Sequence, residues 1–365
     1  MEKWLVVGAG LTGATLAERI ATVRGEEVRV LESRSYVGGA AADYITQEGL
    51  LVQRFGPHVF HTNSHKVWDY IRKFSDWRSF RYQVAASVHG ALVPLPVGFK
   101  GIDQLFPDKA AAVKVALVDR YEVGERVPIH KLLKEPDALL REVACVIYDS
   151  VFHGYTLKHW GVAPDALDPS VMVRVPIIIG DQDSYTGDVV QAVPAAGYTA
   201  MVERMLDHPR IKVELQHKFE PGYSSVGYNV IYSGAIDEYF EYAYGMLPYR
   251  SVRFDLQVMD SLRVLPVATV TYPNSMPYTR ATDMKQLTQQ EHDKSAVVYE
   301  YPGPCRKGMD PLYPVPTAQG KSLYADYARR AAGTTTTFCG RLGAYRYYNM
   351  DQAVAAALWL FGGLR

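Results

Sequence analysis

An excess of one charge is the first thing this chain lacks: Lys+Arg and Asp+Glu are both 39, for a formal net charge of +0. No global basic field favours nucleic acid or an anionic membrane, so any anion site must be local. Cysteine is scarce too. Cys145, Cys305 and Cys339 show no CxxC pairing and no metal-ligand spacing, so neither a disulfide framework nor a metal site is expected. They read as small hydrophobes in a reducing cytosol. No run of about 18 apolar residues occurs, which argues against a membrane-spanning helix. Met1-Glu2-Lys3 leads directly into an apolar stretch, so no signal peptide is expected and the protein is read as cytoplasmic. Internal repeats and low-complexity segments are missing as well.

What is present is apolar and aromatic. A chain of 365 residues with 48% hydrophobic content can bury a large core and is long enough for two or three domains. The 26 tyrosines are many for this length. Each joins a flat apolar face to a hydrogen-bonding tip, which suits a nucleotide and a sugar as well as a core.

The most informative stretch is the N-terminus. Trp4-Leu5-Val6-Val7 runs into Gly8-Ala9-Gly10-Leu11-Thr12-Gly13, a helical stretch follows, and Val28 to Leu31 ends at Glu32. This is the order of a βαβ dinucleotide fingerprint, with the acidic residue about 20 positions beyond the glycines. Gly8 permits the tight turn, Gly10 lets backbone amides approach a pyrophosphate, and Gly13 lets the helix pack on the strand. Glu32 would accept from ribose hydroxyls. A glycine-rich turn without ligand is the alternative, but strands, helix and Glu32 all agree with the fingerprint. Arg34 and Gly38-Gly39, following the acidic strand end, resemble FAD-binding flavoproteins more than NAD dehydrogenases.

Further along, Asn63-Ser64 should cap a helix through Phe74. Tyr82 to Val88 and Ala91 to Leu95 read as a hairpin about His89-Gly90, ended by Pro94 and Pro96. From about Gly101 to His159 the pattern is helical, and Gly180 to Asp188 reads as a polar loop. Val252 to Val258, Val264 to Tyr272 and Ser295 to Tyr301 are β-rich. The expected fold is α/β: an FAD-binding Rossmann-type domain with an inserted helical domain and an antiparallel β-sheet domain. The first takes about 1–80, 190–245 and 320–365; the second about 100–189, including a substrate loop; the third about 81–99 and 246–319.

Several stretches together resemble the UDP-galactopyranose mutase family. They include Gly56-Pro57-His58-Val59-Phe60-His61-Thr62, Gly154-Tyr155-Thr156-Leu157-Lys158-His159-Trp160-Gly161, Arg174-Val175-Pro176, Gly197-Tyr198-Thr199, Tyr249-Arg250-Ser251, Pro277-Tyr278-Thr279-Arg280, Glu300-Tyr301-Pro302, Leu312-Tyr313-Pro314-Val315 and Gly340-Arg341-Leu342-Gly343 through Asp351. They fall in family order across nearly the whole chain. The resemblance implies an isomerase that interconverts the pyranose and furanose forms of a nucleotide sugar, most simply UDP-galactopyranose and UDP-galactofuranose. Reduced FAD, through N5, would attack the anomeric carbon and expel the nucleoside diphosphate, with no net redox change. The cofactor then supplies the nucleophile, and the protein supplies positioning and charge.

By the same resemblance Arg174 and Arg280 clamp the diphosphate, with Tyr185, Tyr313 and Tyr347 as hydroxyl donors. Tyr155, Trp160 and Phe152 form an aromatic wall for the base, and Arg250 joins the basic ring about the substrate. His58 and His61 neighbour the isoalloxazine, and Arg341 and Met350 belong to the cofactor site together with Gly8, Gly10, Thr12, Gly13, Glu32, Arg34 and Gly39. A homodimer is implied as well.

The chain departs from the family pattern at four places. Ile178 stands where a second arginine is common, Thr186 replaces an aromatic residue, Asn349 replaces an aspartate, and Ala40 replaces an asparagine. Each lost charged hydrogen bond to a ligand would weaken it by about 1.5 to 3 kcal/mol. The chemistry survives such changes more easily than the substrate does, so a dTDP-linked deoxysugar such as fucopyranose is the alternative. Two further readings stay open: a flavin amine oxidase or dehydrogenase on the same fingerprint, and a decayed site that binds without turnover.

Overall fold

Unbroken apolar runs, rather than alternation, dictate the first sheet. The computed structural model describes residues 3–168, 171, 176–182, 184–222 and 226–364, and the chain separates into two units. The first comprises Met1–Ser79, Asp188–Ser251 and Cys305–Arg365. Its central sheet has five strands in the order Ile211–Glu214, Glu27–Leu31, Lys3–Val7, Asn229–Tyr232 and Thr337–Phe338, all parallel. Both faces are covered. Trp4 and Val6 pack into a cluster with Ala14, Ala17 and Met201, while Leu5 and Val7 pack with Phe219 and Tyr232. A parallel strand buried on both sides needs apolar residues at every position, which is why Trp4-Leu5-Val6-Val7 does not alternate.

The fingerprint helix covers Leu11–Arg19 and continues as a wider π-helical turn over Ile20–Arg24. The C-terminal helix Met350–Gly363 and the helix Tyr198–Leu206 pack against it. A three-stranded antiparallel sheet of Phe60–Thr62, Val190–Pro194 and Trp77–Ser79 completes the unit's β-structure with a hairpin of Asp43–Ile45 and Leu51–Gln53. Ser64 caps the helix His65–Ile71 by accepting from the Val67 N–H, as the sequence predicts.

The second unit comprises Phe80–Gly187 and Val252–Pro304. Here the strands run in the order Tyr249–Met259 (from Val252 onward), Ser295–Pro304, Arg280–Asp283, Thr269–Thr271, Val84–Val88 and Ala91–Leu95. Pairing is antiparallel between Arg280–Asp283 and each neighbour and across the hairpin, but Thr269–Thr271 runs parallel to Val84–Val88. The sheet is therefore mixed. Helices Phe99–Leu105, Ala110–Val118 and Ala138–Ile147 follow the hairpin, and a π-helical turn over Tyr148–His153 leads into Gly154–Trp160.

Local expectations fail at three points. Pro94 does not end the hairpin but pairs with Ala85 inside the strand; that strand is at the sheet edge, where a missing N–H costs no ladder bond. The β-rich segment from Val264 condenses to Thr269–Thr271, because Val264 and Leu265 are held as a loop by Asp283 and Gln286. Cys339 is buried, but Cys145 is exposed and does not act as a core hydrophobe.

Candidate active site

In the first unit the glycines form a cradle that side chains would fill. Gly8 has φ +98°, and a Cβ there would stand 2.3 Å from Ser233 Oγ. A Cβ on Gly13 would stand 1.9 Å from the Gly8 carbonyl oxygen, so the helix approaches the strand only without a side chain. Gly10 pairs with Gly38 in an isolated parallel bridge, and Gly39 lies against Gly10. Among the described residues no side chain caps the helix that begins at Leu11, which leaves the first-turn N–H groups as donors for an anion. Thr12 in this turn is buried and lies beside Gly340, so the segment carrying Arg341 returns to the fingerprint.

Glu32 is buried, and its carboxylate accepts from the Ala9 N–H at 3.0 Å and the Arg34 N–H at 2.9 Å. It fastens the glycine turn to the second strand; Oε1 also accepts from Ser33 Oγ at 3.3 Å, so Oε2 is the oxygen that keeps a lone pair for a ligand hydroxyl. Arg34 ion-pairs with Asp310, and its guanidinium lies 5.3 Å from the Phe55 ring centre.

The two histidines are built in differently. The His58 N–H donates to Gln53 Oε1 at 2.6 Å, its carbonyl accepts from Gln53 Nε2, and its Nδ1 lies 2.8 Å from the Gly56 carbonyl oxygen. His61 Nδ1 lies 2.5 Å from Asp188 Oδ2, and Asn63 Nδ2 donates to Asp188 Oδ1 at 2.6 Å. Asp188 and Asn63 were not singled out by sequence reasoning as site residues. Met350 opens the last helix and packs on the core shared with the fingerprint helix. Asn349 caps that helix in a capping-box arrangement with Gln352. Asparagine serves there as well as aspartate, so this departure has a structural role of its own.

Arg341, Tyr313 and Tyr347 come together. The tyrosine rings stack at 5.9 Å, and the Arg341 guanidinium lies 4.9 Å from Tyr347 and 5.7 Å from Tyr313. Arg341 is braced by donation to the Leu312 carbonyl at 3.2 Å and the Tyr348 carbonyl at 2.7 Å. Arg250 stands opposite Tyr313 in strand register and shares its face; burial holds its guanidinium below the usual range.

The second unit assembles two further groups. On the helix Gly154–Trp160, Tyr155 stacks on His159 at 5.7 Å and 9°, and His159 meets the Trp160 ring edge-on at 5.0 Å. Phe152 is buried in the preceding turn. Lys158 Nζ donates to the carbonyls of Tyr272 at 2.5 Å and Met276 at 2.7 Å, and reaches that of Tyr278 at 3.5 Å. It thus ties this helix to the segment that ends at Arg280.

Arg280 donates through Nε at 3.0 Å and Nη2 at 2.6 Å to one oxygen of Glu300, directly opposite it on the neighbouring strand. Glu300 is fully buried. Burial pushes its carboxyl up and Arg280 pulls it back, leaving it above the ordinary range. The Tyr185 N–H donates to the Tyr82 carbonyl at 2.7 Å, and the two rings meet edge-on at 5.7 Å. Tyr82 donates to Thr269 Oγ1, and burial pushes its phenol up while Arg280 draws it down. Glu300, Tyr82 and Lys158 had no assigned role in the sequence. Glu300 and Lys158 stood in stretches that carried the family resemblance, without a role, and Tyr82 only in a hairpin strand.

Arg174 lies outside the described residues. Ile178 is buried in a short strand pairing with Arg126, and its N–H donates to the Val97 carbonyl. That position packs in the core and offers no charge. Thr186 contributes its carbonyl to Gln182 Nε2 at 2.9 Å.

A parallel sheet, an uncapped helix behind a glycine cradle and a buried glutamate at the second strand end define a Rossmann-type dinucleotide-binding fold. Residues 6–74 match the model of the NAD(P)-binding Rossmann-like domain, and residues 150–347 match that of UDP-galactopyranose mutase. The chain belongs to the UDP-galactopyranose mutase family and is an isomerase. It is 33% identical to a probable UDP-galactopyranose mutase of Klebsiella pneumoniae, over 97% of this chain and 92% of the relative. It is 31% identical to the dTDP-fucopyranose mutase of Escherichia coli, over 98% and 97%. The crystal structure of a reduced UDP-galactopyranose mutase superposes with a TM-score of 0.76, over 99% of this chain and 93% of that one, at 15% identity. Putrescine oxidase shares the fold at a TM-score of 0.54 and 11% identity, over 99% of this chain and 98% of that one.

Proposed function

We propose that the chain binds FAD in the first unit and interconverts the pyranose and furanose forms of a nucleotide sugar, with UDP-galactopyranose as the leading substrate. The glycine cradle fits such a cofactor: Gly8 and Gly13 leave room where Cβ atoms would collide, the start of the uncapped helix offers N–H donors to an anion, and Glu32 retains acceptor capacity. When bound and reduced, the flavin supplies the nucleophile that no side chain here provides.

The chain's own residues hold and neutralise. Arg280 is the proposed receiver of the charge that develops on a departing diphosphate, because a guanidinium fixed by Glu300 needs no reorganisation when that charge appears. Tyr185 in the same unit, and Tyr313 and Tyr347 in the first, are the proposed phenol donors. Tyr155 and Trp160 offer the flat faces for a base. Arg174 completes this set by family resemblance alone.

The observation that carries the reading is the Arg280–Glu300 pair, set in a chain that matches nucleotide-sugar mutases along almost its whole length. A deoxysugar nucleotide is the second reading, favoured by the nearly equal identity to the dTDP-fucopyranose mutase and by the apolar Ile178. The test is an anaerobic assay of the dithionite-reduced, FAD-loaded protein against UDP-galactofuranose and dTDP-fucofuranose, with pyranose formation read by chromatography. Conversion of the UDP sugar is expected. Conversion of only the dTDP sugar would move the substrate, and no conversion of either with tight FAD would overturn the reading.

A further inference from the structure

A cavity of about 260 Å³ lies at the second unit's sheet, lined among others by Phe80, Arg81, Gln83, Leu262, Arg263 and Gln286. None of these residues belongs to the groups described above. Two guanidiniums share the cavity, and neither has an ion-pair partner among the described residues. Arg81 is exposed, and Arg263 donates only to carbonyls of its own loop, Leu265 through Nε at 3.0 Å and Pro266 through Nη2. Asp283 is the carboxylate behind the loop, bonded to the Val264 N–H and Gln286 Nε2 rather than to either guanidinium, and an anion between the two guanidiniums would be attracted by both.

The loop that presents Arg263 is fixed from below. Asp283, fully buried, accepts from the Val264 N–H at 3.3 Å and from Gln286 Nε2 at 3.0 Å. Gln286 Nε2 also donates to the Leu265 carbonyl at 2.7 Å, the carbonyl that braces Arg263. Lys285 Nζ donates to the Leu262 carbonyl at 3.1 Å, which adds a third cation to the loop's surroundings. Arg263 is therefore held in place while three of its five N–H groups stay available. Gln286 has spent both amide hydrogens and keeps its oxygen as an acceptor. Gln83 brings a complete amide, and Phe80 and Leu262 bring apolar surface.

We infer that this cavity binds a phosphate monoester of a small polyol, with the phosphate between Arg81 and Arg263 and the hydroxyls on the Gln83 and Gln286 amides. A bare phosphate would leave the Gln286 acceptor and the apolar wall unused. A neutral sugar would leave both guanidiniums uncompensated. The inference stands apart from the mutase reading.

The test is calorimetric titration of the FAD-loaded protein at low ionic strength with glucose 6-phosphate, inorganic phosphate and glucose, with UDP held at saturation to occupy any nucleotide site. Glucose 6-phosphate is expected to bind with one equivalent and more tightly than inorganic phosphate, and glucose not to bind. Arg81→Gln and Arg263→Ala should each weaken it about tenfold, the loss of one charge-assisted contact, while Arg280→Ala leaves it unchanged. Arg81→Gln alters an exposed side chain with no described contact, so it keeps the test sound if Arg263→Ala disturbs the loop. Binding that survives both cavity variants, binding abolished by Arg280→Ala, or no binding of glucose 6-phosphate at all would each overturn the inference.

Discussion

Glu300 meets Arg280 through one oxygen, while its other oxygen, Oε1, is buried without a hydrogen-bond partner among the described residues. The Arg280 side chain keeps 20% exposure and Glu300 none, so the carboxylate anchors the guanidinium from inside. Glu300→Gln should reduce kcat/KM by roughly 100-fold in the anaerobic assay, the scale of a misplaced contact group. A reduction below about threefold would separate Glu300 from the chemistry. The same carboxyl carries a pH signature. Its folded-state pKa is raised by burial, against the pull of Arg280, so between the ordinary carboxylate value and the folded value the native state binds more protons than the unfolded one. Stability then falls as pH rises through that window. Urea melts across pH should show this fall in the parent and a flatter profile in Glu300→Gln. Arg280 stood out in the sequence by family resemblance, but its pairing with Glu300 did not, because the pairing of residues 20 positions apart depends on strand register.

At the scale of elements, what was written locally could be read. The His89-Gly90 turn, the Ser64 cap and most helix positions follow from nearby residues. The cap of the Gly197-Tyr198-Thr199 stretch could not be read locally, since its partner is remote: Asp43 accepts from the Tyr198 N–H at 2.6 Å and the Thr199 N–H at 3.0 Å, capping the helix Tyr198–Leu206. Gly197 has φ +89°, and a Cβ there would stand 2.6 Å from Asp43 Oδ2. Gly197→Ala should cost about 2 kcal/mol through strain and displacement of the cap, and Asp43→Ala about 1 to 2 kcal/mol through loss of the cap. Because the two touch, the double variant should lose less than the sum in urea melts; simple additivity would mean that they act separately. Lys158 works across elements in the same way. Lys158→Met gives up an ammonium's bonds to the Tyr272 and Met276 carbonyls, worth about 1.5 to 3 kcal/mol each to a charged group. Proteolysis between Tyr272 and Tyr278 should become faster, and an unchanged cleavage rate would show that the segment holds itself.

Across the whole molecule, class was legible and order was not. The fingerprint announced a parallel sheet, but nothing local placed Ile211–Glu214 at its edge beside Glu27–Leu31, or made Thr269–Thr271 run parallel to Val84–Val88. Such pairings join segments far apart in sequence, and the energy that selects them is spread over a buried face rather than written in one motif. At that edge the distant strands are also joined by charge. Arg29 donates to Glu214 through Nε at 3.1 Å and Nη2 at 2.7 Å, and Lys212 stands 2.9 Å from the same carboxylate. Hydrogen bonds from Arg29 and Lys212 hold the Glu214 carboxyl down to about 2. A depressed carboxyl contributes stability above its unfolded value, and that contribution is lost as pH falls through the folded one. The pair lies near solvent, so its worth at neutral pH is on the order of 1 kcal/mol or less. Glu214→Gln should therefore be less stable than the parent near pH 7, and the two denaturation midpoints should converge as pH falls from about 4 to 2. Added salt should narrow the gap at pH 7, because exposed charges are screened over about 10 Å at 0.1 M ionic strength. Equal midpoints at pH 7 in low salt would mean that apolar burial alone fixes this edge strand.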